Sequence, residues 1–159
     1  MTTRSDFSND EWAALVYLPR WVVAAASASQ LDRPNRTKVE VEAGLIASAQ
    51  GRDSGNAFVA EVGADTLRVF DDPGAVSAIE FADTESGIQT VLAQVEVVNR
   101  VLAERAAIPD AMAYRRWLLA ITDVVIAAAR SNDFLGFGGQ LITESEQRFR
   151  DRLALVFQR

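Results

Sequence analysis

Residues Trp117 to Ala129 read WLLAITDVVIAAA, and only Thr122 and Asp123 interrupt an otherwise apolar run. A second stretch, Trp12 to Ala26, reads WAALVYLPRWVVAAA, with Arg20 as its one charge. Both runs are too long for strands and repeat at helical spacing. Trp117, Leu118, Ile121, Val124, Val125 and Ala128 form one stripe, broadened by Leu119 and Ile126. In the first run, Leu15, Val16, Pro19, Val22, Val23 and Ala26 form a stripe, and Ala14, Tyr17, Trp21, Ala25 and Ala28 form another. A helix apolar on most sides sits at the centre of a core or in an interface between copies. The expectation is an all-α, bundle-like domain of six to seven helices built around these two.

Helix boundaries follow from local chemistry. Ser8-Asn9-Asp10-Glu11 is a capping box, with Phe7 and Trp12 placed to form a hydrophobic staple. Pro19 removes one backbone donor from the first helix and predicts a kink. Pro34 breaks a loop from Gln30 to Arg36, and Thr37-Lys38-Val39-Glu40 is a second box opening a helix to about Ala49, with Gly51 as its stop. Phe58, Val59 and Val62 suggest a short helix ended by Gly63. Thr66 to Phe70 reads as strand or helix, and helix is preferred because a lone strand has no partner. Asp72-Pro73 predicts a short helix through Ala82. Thr84 caps a long helix with the stripe Ile88, Val91, Leu92, Val95, Val98 and Leu102. Ile108-Pro109-Asp110 ends it and starts the helix that runs to about Ser131. A glycine-bearing loop, Asn132 to Gln140, leads to a third box, Thr143 to Glu146, and a last helix with Phe149, Leu153 and Val156 on one face.

The two apolar helices align at a constant offset of 103, pairing Leu15, Val16, Leu18, Val22, Val23 and Ala26 with Leu118, Leu119, Ile121, Val125, Ile126 and Ala129. Each is followed by a loop and by Thr-x-x-Glu. A single domain of two pseudo-symmetric halves, residues 8–50 and 110–158, joined by helices in 54–106, is expected.

Composition narrows the chemistry. The 159 residues suit one domain. There is no Cys and no His, so disulfides, thiol nucleophiles and imidazole bases or metal ligands are excluded. The net charge of −6 argues against nucleic acid as a partner and against anionic membrane surfaces. Neither apolar run reaches the length that spans a bilayer, and MTTRSDFSNDEW lacks a signal-peptide core. The cations are fifteen Arg and Lys38, which with abundant Ala and Val suggests a bacterial, GC-rich source. A cytoplasmic protein is expected.

Candidate residues are few. Phe134 and Phe137, on the glycine loop, are candidate anchors for a partner. The twelve residues from Asp133 to Glu144 carry Gly138 at the sixth position of an EF-hand-like loop, but Leu135, Phe137 and Leu141 supply no oxygen where calcium needs it. Gly136-Phe137-Gly138-Gly139 lacks the Lys of a phosphate loop. Arg115 and Arg116 could clamp an anion, with pairing to Asp110 and to glutamates on neighbouring helices as the plainer role. Asp123 is expected to pair with Arg20 across the central helices. No catalytic residue, cofactor or metal ligand is nominated.

The segment Ala127-Ala128-Ala129-Arg130-Ser131-Asn132-Asp133, the glycines after it and Thr143 to Glu146 resemble the TerB-like, tellurite-resistance group of all-helical bacterial proteins. No Asp-Gly dipeptide follows the Ala run, and the first half has only Asp32 in its loop. The resemblance implies pseudo-symmetric helix pairs and a metal-associated stress-response module. The leading expectation is a non-enzymatic interaction or structural module acting as a homodimer. The alternative is a module that binds a small ligand or divalent metal.

Overall fold

A computed structural model of the chain describes residues 1–28, 34–70, 84–133 and 144–158. Among them are six α-helices and no strand: α1 (Asn9–Ala28), α2 (Pro34–Ala49), α3 (Ala57–Phe70), α4 (Thr84–Arg105), α5 (Ile108–Asp133) and α6 (Glu144–Phe157). Short 3-10 turns, Arg4–Asp6 and Gln50–Asp53, precede α1 and link α2 to α3.

α1 begins as its sequence dictates. The Ser8 backbone N–H donates to Glu11 Oε2 at 2.7 Å, and the Glu11 N–H donates back to Ser8 Oγ at 3.2 Å. Phe7 and Trp12 meet at 5.7 Å between ring centres, closing the staple. Phe58 of α3 stacks on Phe7, and Tyr114 of α5 lies against Phe58. The staple is thus continuous with the core.

α1 and α5 pack together, and both also touch α2, α3, α4 and α6. Leu15, Leu18, Val22 and Ala25 of α1 and Tyr114, Leu118, Ile121 and Val125 of α5 are buried. The joint between them follows from Pro19. α1 runs on through Pro19, which has no N–H to give the carbonyl of Leu15 one turn back. A buried carbonyl left without a donor is costly. The Tyr114 hydroxyl fills that place, donating to Leu15 O at 2.7 Å. One residue on, Thr66 Oγ of α3 lies 3.1 Å from Val16 O and 2.9 Å from Val62 O. The interruption in α1 is therefore where two other helices attach.

Glycines set how closely the layers approach. A Cβ at Gly44 of α2 would stand 2.7 Å from side-chain carbons of both Val23 and Val125, so α2 seats against both central helices. A Cβ at Gly51 would meet the Trp117 indole at 2.4 Å. α6 has no glycine and touches α1 only lightly, whereas α2 lies extensively along α5. α2 and α6 therefore sit unequally about the central pair.

Two expected boundaries are corrected. α2 starts at Pro34, not after Thr37, because proline's fixed φ and missing N–H suit the first helical position. α3 continues through Gly63 to Phe70 as one helix. Gly63 is there for contact: its Cβ would stand 2.5 Å from backbone atoms of Gly51 and Arg52. In α4 the predicted stripe is buried, with Gln94, Glu96, Arg100 and Glu104 exposed. The helix expected from Pro73 to Ala82 lies outside the described residues, as does the Thr143 cap before α6. No described helix is long and apolar enough to cross a membrane.

Candidate functional site

A buried carboxylate that ties distant segments together is Asp110, in the first turn of α5. Its Oδ2 accepts the Thr2 backbone N–H at 2.8 Å, and its Oδ1 accepts Asn56 Nδ2 at 2.8 Å. Asn56 Oδ1 in turn accepts the Val59 N–H, capping α3 at 3.0 Å. Thr2 Oγ1 accepts the Ala107 N–H at 2.9 Å. One carboxylate thus ties the N-terminal segment to the starts of α3 and α5. The hydrogen bonds from Thr2, then from Asn56, hold its carboxyl below the ordinary value, against a smaller opposing effect of burial. Negative charge also suits this end of a helix. Such a group stays ionised and is a poor proton donor.

A second polar tie joins α1 to α3. Trp12 Nε1 donates to Asp65 Oδ2 at 2.9 Å, and Arg68 also contacts Asp65. The Arg4 guanidinium lies 5.2 Å from the centre of the Trp12 ring. Glu11 sits 3.4 Å from Arg105 of α4, and its carboxyl is lowered first by the Ser8 backbone hydrogen bond.

The candidates from sequence are dispersed. Phe134 and Phe137 lie outside the described residues. Arg115 is half-buried and donates from Nε to Asn99 Oδ1 at 2.8 Å, while Asn99 Nδ2 donates to Val156 O at 3.0 Å. It therefore connects α5, α4 and α6 instead of pairing with Asp110. Arg116 is exposed on α5. Asp123 meets Arg150 of α6, with Nε–Oδ1 at 2.6 Å and Nη2–Oδ2 at 3.4 Å. The Asp123 hydrogen bond raises the pKa of Arg150. The pair expected between Arg20 and Asp123 is replaced by this one. Arg20 is half-buried on α1 and is itself engaged. Asp123 and Arg150 are both substantially exposed, so their pair is worth about 0–1 kcal/mol.

Sequence reading missed the role of Asp110 as a hub. Its local signal, a carboxylate just after Pro109, reads as a helix start. Nothing local announces Thr2 or Asn56 as its partners.

Apolar side chains also face outward. Val39 and Ile46 of α2 are 40% and 55% exposed, and Met112 and Val124 of α5 are 48% and 39% exposed. Among the described residues no group of three or more Asp, Glu, His or Cys side chains is arranged to hold a metal ion. In comparisons with known proteins, no family model matches the chain, and no curated protein or solved structure matches it significantly. The resemblance to the TerB-like group therefore rests on the residues quoted for it above.

Proposed function

We propose that the chain is a non-enzymatic interaction module that works as a homodimer. The observation that supports this reading is the outward placement of Val39 and Ile46 on α2 and of Met112 and Val124 on α5. Apolar side chains left in the open gain by burial against a further surface. The polar side chains fit the same reading. Asp110, Asp65, Asp123 and Arg115 are all bound to neighbouring elements, a use that stiffens a scaffold. An activated acid or nucleophile would instead face a substrate.

Light scattering coupled to size-exclusion chromatography tests the reading. A mass of twice 17.3 kDa at micromolar concentration is expected. A monomer persisting at high concentration contradicts it. A thermal-shift series with divalent cations separates the ligand-binding alternative: a saturable rise in Tm favours that alternative, and no rise is expected here.

A further inference from the structure

Resting on the homodimer reading, we propose that a second copy of this chain docks antiparallel on the outer face of α5. Arg116 of each copy then lies against Asp123 of the other. The buried side of α5 carries Tyr114, Leu118, Ile121 and Val125. Its exposed side carries Met112, Arg116, Ala120, Asp123, Val124 and Ala127. Spacings of three and four place these on one face of a helix. Between Met112 and Ala127, the exposed charges on that face are Arg116 and Asp123, of opposite sign.

Their positions single out a second copy as the occupant. Arg116 and Asp123 are seven residues apart, about 10.5 Å along the axis at 1.5 Å per residue. Ala120 lies beside the midpoint. A two-fold axis crossing the helix there brings each cation to the other copy's anion and lays Met112 against Ala127. This is the self-complementarity that an isologous interface requires. A different partner would have to bring a separate counterpart for each charge, whereas a second copy supplies both from the same two residues. Ala120 at the axis lets the two helices approach closely. Asp123 already accepts from Arg150, but a carboxylate has about four lone-pair directions and accommodates a second guanidinium.

Sedimentation velocity on the full chain tests the arrangement. Arg116→Asp and Asp123→Arg each set like charges across the axis, and each is expected to weaken the dimer at least about tenfold. The combined exchange, made together with Arg150→Glu so that residue 123 keeps an opposite charge on α6, restores it. The chain has no cysteine, so Ala120→Cys gives a second readout. Mild oxidation is expected to cross-link this variant into a dimer, and not to cross-link Gln94→Cys on exposed α4. A wild-type monomer overturns the homodimer reading and this inference together. A wild-type dimer that Arg116→Asp leaves unweakened, or in which Ala120→Cys fails to cross-link, overturns the α5 face alone. Circular dichroism checks that each charge variant folds, and where one does not, the Ala120→Cys result decides.

Discussion

Pro19, Leu15 and Tyr114 show how one residue's deficiency fixes where another must sit. Proline withholds a donor, the Leu15 carbonyl is left open, and Tyr114 closes it from α5 at 2.7 Å. Tyr114→Phe keeps the ring and removes the donor, at an expected cost of about 1–3 kcal/mol. Pro19→Ala returns an N–H to the same carbonyl, so the cost of Tyr114→Phe is expected to fall in that background. Denaturant unfolding of the two single variants and the double variant measures the coupling; additive effects would contradict the joint. Asp110 makes a prediction of different form. Because its carboxyl is held below the ordinary 3.8, its contribution is complete above that pH. It is lost as pH falls through the lower, folded-state value. Asp110→Asn is expected to lower stability by about 1–3 kcal/mol at neutral pH. The gap to wild type should close in acid, as Tm against pH for both proteins would reveal.

Gly63 is the clearest case at the level of an element, because two effects oppose there. Alanine favours an α-helix over glycine by about 1 kcal/mol. A methyl at Gly63 would press on the backbone of Gly51 and Arg52 at 2.5 Å, where no rotamer change relieves it. Overpacking of that kind costs about 1–3 kcal/mol, so Gly63→Ala is expected to destabilise. Gly55→Ala has nothing within 4 Å of the new methyl and is expected to stay within about 0.5 kcal/mol of wild type. Urea midpoints of the two variants check both values. The same glycine shows what a sequence conceals. A helix stop and a helix contact call for the same residue, and only the element packed on α3 distinguishes them. Where the determinant was local, it was legible. The Ser8–Glu11 box, the Phe7–Trp12 staple and the α4 stripe all stand in the structure, because each rests on neighbours three to five residues apart. Pro34 reads locally as a loop breaker, yet α2 opens there, three residues before Thr37, because proline's preset φ also suits a first helical position. The Asp110 cluster joins residues 108 and 54 positions apart, and no periodicity encodes such pairs.

At the scale of the whole molecule, α1 and α5 share a buried seam, and the other helices cover it. α2 and the turn that follows it seat tightly against it, through Gly44 and Gly51. The candidate polar residues are scattered by this arrangement and not gathered: Arg115 faces α4, Asp123 reaches α6, and Asp110 holds the N-terminal segment. That dispersal directs attention to the outer surface, where α2 and α5 leave apolar side chains in the open. The premise beneath this reading is that the two apolar helices form the most stable part of the fold. Native-state hydrogen exchange measures it residue by residue, since local openings and global unfolding respond differently to denaturant. The account predicts that the amides of Leu15–Ala26, proline excepted, and Tyr114–Ile126 exchange only through global unfolding, with a common free energy that is the highest in the chain. Exchange of either segment through a smaller opening, while the other stays protected, would contradict it.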